Sequence, residues 1–333
     1  MLELADKWIW DSWYVEDQGL WHAFFLQADR ALGDPEQRHW HVSHGHATST
    51  DLVHWSYQGT VLAPSPTPAF DDCSVWTGSV VKGDDNLWHL FYTGTSHAEN
   101  GLHQRIGHAT STNLHDWHKQ GLALERRGPN AECYEPHLPE RWKDESMRDP
   151  WVIRDPEGDG WLMFFTARSP FADDTLAAGA IGLARSPDLY QWSLEPPVFV
   201  GGFGEIEVPT VFEKNGRWYC LFCTSAPYWS AAYRETYPGE PVSGIHYLMA
   251  DHPLGPWRIA EGHFLDGTPH CDRYAPRWLH ANGRDWLMSC LMQKNGEFQG
   301  VLTDPVELQA GPDGRLELRA LPARTAVEET ANG

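Results

Sequence analysis

The sequence predicts an all-β protein, a five-bladed β-propeller with four-stranded antiparallel blades around a central channel. A tryptophan opens a short apolar run five times: Trp21 in WHAFF, Trp88 in WHLFY, Trp161 in WLMFF, Trp218 in WYCLF and Trp286 in WLMSC. These recur every 57 to 73 residues, which is the mark of one supersecondary unit repeated. Turn signals precede the runs, with GDDN before Trp88, PEGDG before Trp161, KNGR before Trp218 and NGRD before Trp286, and such pairings read as antiparallel hairpins. No stretch sustains an apolar pattern at helical spacing. Closing the repeats into a ring would also protect the sheet edges.

Each blade carries a second landmark, a strand of small residues ending six positions before another tryptophan. Blade 1, at about 8–60, holds GHATSTDLVHW from Gly45 to Trp55, and blade 2, at about 73–125, holds GHATSTNLHDW from Gly107 to Trp117. Blade 3 (145–200) places Ser186 before Trp192, and blade 4 (203–262) places Asp251 before Trp257. Blade 5 (270–320) keeps the strand as GVLTD, ending at Asp304, without the closing tryptophan. The expectation is a single domain over 1–322 followed by a flexible tail at 323–333.

Composition fits a propeller and narrows the partners. The 333 residues include 18 tryptophans and are 13% aromatic, ample for stacking blade on blade. A net charge of −21 with no basic cluster disfavours nucleic acid and anionic membranes. A neutral small-molecule carbohydrate suits it better, and no cofactor is implied. There is no 18-residue apolar run and no charged-then-apolar leader. The six cysteines form no regular disulfide framework, so a cytoplasmic location is expected. Cys220 and Cys223 form a C-x-x-C string, but they lie inside the apolar WYCLFC run and read as buried thiols. The oligomeric state is left open.

Counting back ten to twelve residues from each tryptophan gives Asp11, Thr77, Asp149, Glu207 and Tyr274. In a propeller the first strand of each blade lines the channel, so three acids from blades 1, 3 and 4 would meet at one mouth. Carboxylates gathered and buried together split their pKa values, an arrangement that costs stability and suggests catalysis.

These residues also carry a family resemblance. Trp10-Asp11-Ser12-Trp13 resembles the nucleophile segment of levansucrase-type enzymes of glycoside hydrolase family 68. Arg148-Asp149-Pro150 resembles the RDP motif shared by families 68 and 32, the clan of invertases, inulinases and fructosyltransferases. Glu205-Ile206-Glu207-Val208-Pro209 is similar to the segment that supplies the clan's general acid. HGHATSTDLVHW from His44 and Gln27 after WHAFFL look closer to family 32, and Trp76-Thr77-Gly78-Ser79 is similar to the W-S-G-S or F-S-G-S segment of the second blade. One departure is that family 32 usually opens with W-M-N-D-P-N-G, whereas Ser12, Trp13 and Tyr14 follow Asp11 here.

The resemblance implies a retaining β-fructofuranosidase of a clan that also carries out fructosyl transfer. Asp11 would be the nucleophile, Glu207 the acid/base and Asp149 a transition-state stabiliser holding ring hydroxyls. Glu207 should then have a raised pKa while Asp11 stays ionised. Arg148 would brace Asp149 or bind a hydroxyl, and Glu205 could touch another. Trp10, Gln27, Trp76, Thr77, Tyr228 and Tyr274 complete the expected substrate contacts, with the loop Pro227–Gly239 (Tyr228, Trp229, Tyr233, Arg234) a candidate leaving-group subsite. The second RDP, Arg154-Asp155-Pro156, reads as a hairpin turn. His44 and His46, or His39 and His41, share strand faces, but without a recognisable third ligand no metal site is assigned. Two alternatives stand: a family 43-like inverting arabinofuranosidase or xylosidase, and a non-catalytic sugar-binding propeller.

Overall fold

The computed structural model describes residues 1–262 and 264–319. The last three residues of the expected domain and the tail at 323–333 lie outside the described residues. Within them the chain forms five antiparallel sheets, each wound outward from the channel in sequence order. The inner strands are Lys7–Asp17, Ser74–Lys82, Met147–Arg154, Glu207–Lys214 and Arg273–Ala281. Every expected blade is present within a few residues of its expected bounds. In blade 5 two short strands, Glu297–Leu302 and Val306–Ala310, divide the third position between them.

The second strands explain the tryptophan spacing. Trp88–Thr95 and Trp161–Arg168 are buried at every residue, because each sheet packs blade-to-blade on both faces. Such a strand reads as a continuous apolar run rather than an alternating one. The core is accordingly a set of inter-blade layers: Phe91 with Phe165, Phe164 with Phe222, and Phe212 with Leu287 fall in three separate clusters. Each such fully buried aromatic contributes roughly 1.5–3 kcal/mol of transfer free energy.

The second landmark is a self-contained corner. Ser49 Oγ accepts from the amides of Asp51 and Leu52 at 3.1 and 2.9 Å. Asp51 Oδ1 accepts from Val53 and His54 at 2.9 and 2.8 Å, and Trp55 Nε1 donates to Leu52 O at 3.1 Å. Leu52 turns the chain at φ 65° with its side chain buried. Ser111 and Ser186 repeat the amide contacts, and Trp192 repeats the indole bond. Side-chain acceptors thus satisfy the amides that a sharp turn would orphan.

Blades 1 and 5 close the ring through paired backbone bonds between Leu2 and Leu302, both 3.0 Å. Arg154-Asp155-Pro156 ends an inner strand at a turn in which Asp155 N bonds Gly160 O at 2.9 Å, as its sequence context suggests. All six cysteines are free, with Cys220 and Cys223 buried.

Candidate active site

All five inner strands break register at one level. The ladder slips between Trp10 and Ser12, Trp76 and Gly78, Glu207 and Thr210, and Tyr274 and Arg277, and in blade 3 opposite Phe164 and Thr166. A bulge frees one residue from pairing and re-aims its side chain. In blades 3 to 5 the bulge holds a proline, Pro150, Pro209 or Pro276, where a missing amide costs the ladder nothing. The residue before each proline has positive φ: Asp149 57°, Val208 55° and Ala275 52°. For a β-branched valine this conformation is an outlier of the kind held at functional sites.

The bulges bring Asp11, Thr77, Asp149, Glu207 and Tyr274 to one cavity of about 810 Å³. Trp10, Trp76, Arg148, Glu205 and Tyr228 line it as well. Gln27 does not. It is 1% exposed and faces the interior of blade 1, donating to Thr60 and Ser43 at 2.8 and 3.2 Å and accepting from Tyr57 at 2.9 Å. Strand alternation decides this: neighbouring Leu26 lines the cavity, so Gln27 points away. The leaving-group loop also divides. Tyr228 reaches the cavity beneath Lys143 Nζ, 5.3 Å from its ring centroid. Trp229 is fully buried against Phe264 and Tyr233 packs on Phe203, while Arg234 caps Ala226 O, so these three are structural.

The polar network centres on Arg148. Its Nη2 lies 2.7 Å from Glu207 Oε1 and 3.0 Å from Glu205 Oε1, and Nε lies 3.5 Å from Asp149. Arg148 therefore braces the glutamates of blade 4 more closely than its neighbouring aspartate. Glu205 lies ahead of the inner strand, not on it, and its Oε1 also takes Lys143 Nζ at 2.9 Å. Tyr274 donates to Glu207 Oε2 at 2.5 Å, so the fifth blade grips the candidate acid. Thr77 Oγ1 donates to Asp11 Oδ2. Asp149 Oδ2 accepts from Thr166 Oγ1 at 2.9 Å and Val208 N at 3.2 Å.

Ionisation departs from expectation. Burial pushes the Asp11 carboxyl up, against the opposing pull of Thr77 and Arg277. Asp149 is pushed up to about 7, by burial first and by the Asp11 and Glu207 charges, despite Arg148. Burial likewise raises Glu205, with Glu207 beside it adding to the effect. For Glu207 burial is outweighed by Arg148, Lys143 and Tyr274, which hold its carboxyl below the usual range. In the free site Asp11, Asp149 and Glu205 are therefore raised while Glu207 is held down, which for Asp11 and Glu207 is the reverse of the expected order. Reach across blades is the physical reason: Arg148 comes from blade 3 and Tyr274 from blade 5.

Sequence spacing missed Lys143, Gln104 and His39, which also line the cavity. His39 ends the 3-10 helix Pro35–His39, and Gln104 and Lys143 lie in the segments between strands, so none falls on the repeated strands. Gln104 accepts from the Met147 amide and Arg148 Nη1 at 3.2 and 3.3 Å. Elsewhere, His22, His46 and His115 bring ring nitrogens within 4.8 Å of one another and could ligate a transition metal. However, His22 Nδ1 and His46 Nε2 meet at 2.9 Å in stacked rings, and His89 and His108 repeat that pair at 2.9 Å under Tyr190. The pair is a packing device of the first two blades.

Known proteins share this architecture. The chain superposes on an inulosucrase from Halalkalicoccus jeotgali bound to kestose with a TM-score of 0.77, at 20% identity over 96% of this chain and 90% of that one. It is 27% identical to a sucrose-6-phosphate hydrolase of Escherichia coli over 92% of this chain and 61% of that protein. It is also 30% identical to a raffinose invertase of Escherichia coli, over 90% of this chain and 59% of that one. The chain therefore spans about three fifths of the length of these two relatives. Residues 8–240 match the family model described as the glycosyl hydrolases family 32 N-terminal domain. With five bulged strands directing their residues into one acidic cavity and that match covering most of the propeller, the chain belongs to glycosyl hydrolase family 32.

Proposed function

We propose that this chain is a retaining β-fructofuranosidase acting on sucrose-type or fructo-oligosaccharide substrates, able to pass the fructosyl unit to water or to a second sugar. The observation that carries this reading is the convergence of Asp11, Asp149 and Glu207 from three blades on one cavity, with Glu207 clasped by Arg148 and Tyr274. The names of the relatives, a sucrose-6-phosphate hydrolase and a raffinose invertase, support the substrate class.

Asp11 attacks the anomeric carbon of the fructosyl unit with a carboxylate oxygen. The glycosidic C–O bond breaks and its oxygen takes the proton of Glu207, leaving a fructosyl ester on Asp11. Glu207, now a carboxylate, removes a proton from water or a sugar hydroxyl. That oxygen attacks the same carbon and releases Asp11. Asp149 accepts hydrogen bonds from ring hydroxyls, which tighten as positive charge develops on the ring.

In the free site Glu207 is held down while Asp11, Asp149 and Glu205 are raised, so substrate has to favour a proton on Glu207. Sugar hydroxyls donating to Asp149 and Asp11 favour their ionised forms. A glycosidic oxygen beside Glu207 favours the protonated acid. The productive state is thus reached by redistributing one proton among coupled carboxyls, and a pH profile will report the group and not one residue. The six free thiols support a reducing, cytoplasmic location.

The test is product analysis with sucrose, sucrose 6-phosphate, raffinose, inulin and levan, alongside Asp11→Asn. Fructose or fructosyl products are expected from at least one substrate, and Asp11→Asn should abolish them while still binding sugar. A folded wild-type chain that releases nothing from any of the five would overturn the reading in favour of a sugar-binding propeller.

A further inference from the structure

Arg277 is fully buried and does not line the cavity. From blade 5 its guanidinium crosses to every other blade. Nε donates to Ser12 O at 2.9 Å, and Nη2 donates to Gly78 O at 3.3 Å. Nη1 donates to Val208 O, Pro209 O and Thr210 Oγ1 at 3.3, 3.1 and 2.8 Å. The group lies 5.2 Å from the ring centroid of Trp151. Ser12, Gly78 and Val208 each follow a cavity residue by one position, namely Asp11, Thr77 and Glu207, and Trp151 follows Asp149 by two. One side chain therefore contacts the backbone or ring next to each candidate group of blades 1 to 4.

The contacts fit the bulges. Breaking a ladder leaves carbonyls without partners, and a planar fork with five donors can satisfy several at once. Such a linker need not be charged, and burying a cation is expensive unless opposite charge compensates it. Arg277's hydrogen bonds go to carbonyls and a hydroxyl, none to a carboxylate. The charges acting on it are Asp11 and Asp149. Burial lowers its pKa to about 10, so it stays protonated at neutral pH. The ionisable groups facing Asp11 are Glu207, Asp149, Cys223, Cys290 and Arg277, and Arg277 is the cation among them.

We infer that Arg277 is a positioning residue for the fructoside reaction: it locks the inner strands together beside each candidate catalytic group and supplies the positive charge under Asp11 and Asp149. The inference rests on the proposed function for its kinetic half only. Arg277→Lys keeps the charge and loses the fork, whereas Arg277→Gln loses the charge.

Carbon-13 NMR of labelled aspartate carboxyls, with Asp11 assigned through Asp11→Asn, gives the titration midpoint of Asp11 in the full chain. Arg277→Gln should raise that midpoint and Arg277→Lys should leave it near wild type. Both should lower kcat by about 100-fold, the cost of misplacing reacting groups by about 1 Å. KM should stay within about threefold of wild type, because no cavity contact is lost. A purely structural role would move neither the midpoint nor the split between kcat and KM. An unmoved midpoint in folded Arg277→Gln overturns the charge role, and wild-type kcat in Arg277→Lys overturns the positioning role. If Arg277→Gln does not fold, Arg277→Lys still decides the latter. If the wild type turns over no fructoside, the proposed function fails while the NMR midpoint still tests Arg277.

Discussion

Thr77→Val is the sharpest probe of the candidate nucleophile. Thr77 is 1% exposed, and its hydroxyl is the side-chain donor to Asp11 Oδ2. Valine keeps the shape and replaces the hydroxyl with a methyl. A hydrogen bond to a charged group contributes about 1.5–3 kcal/mol, and this one favours only the ionised carboxylate. Removing it should make Asp11 about 10- to 150-fold harder to ionise. The sign is definite. Burial already raises Asp11 against the pull of Thr77, so losing Thr77 raises it further. The acid limb of kcat/KM should then move to higher pH, with activity recovering toward the alkaline side. Initial rates of fructose release from sucrose across pH 4–9 would measure this for the wild type, Thr77→Val and Thr77→Ser. Thr77→Ser retains the donor and should track the wild type. An unmoved limb in Thr77→Val, or an equal defect in Thr77→Ser, would refute the reasoning.

Three further outcomes are expected. Asp149 binds its proton from 3.8 up to about 7 in the fold, so the folded state loses stability as pH rises through that window, by roughly 4 kcal/mol. Asp149→Asn should therefore raise Tm at pH 8, with the gain fading by pH 4, while hydrolysis falls by about 10²- to 10³-fold; a Tm gain independent of pH would contradict this. Glu135 is buried between Arg168 and Arg141, each at 2.8 Å, and Glu135→Ala leaves a buried cation unpaired. Calorimetry should show a loss of about 3–5 kcal/mol. Gln27→Ala should cost about 1–3 kcal/mol through the hydroxyls it abandons yet leave kcat/KM of the folded protein unchanged, and a KM defect would return Gln27 to the substrate.

Much of the site was legible because two periodicities coincide. The tryptophan of each second strand marks a fixed ladder position, and the inner-strand bulge falls at nearly the same level in every blade, so counting back lands on the bulged residue or on the one just before it. Tyr274 was found this way without support from any motif. The same count could not see Arg277, whose role depends on reach across the ring and not on position along it. Nor could it order the acids: Glu207 is held down by Arg148, Lys143 and Tyr274, which reach it from outside blade 4. Gln27 failed for the opposite reason. A string match placed it at the cavity, although alternation from Leu26 already pointed it into the blade.

Asp11, Thr77 and Asp149 sit in the gaps of their ladders, and Glu207 and Tyr274 on the last pair before theirs, so none of the five side chains carries a share of the sheet's hydrogen bonding. The ring therefore offers five addresses at which a residue can be exchanged without repairing the strand that bears it. The present occupants, an aspartate, a threonine, a second aspartate, a glutamate and a tyrosine, show how varied such tenants can be. Divergence of substrate preference in a fold of this kind can proceed by single substitutions, with the architecture left untouched while the chemistry drifts.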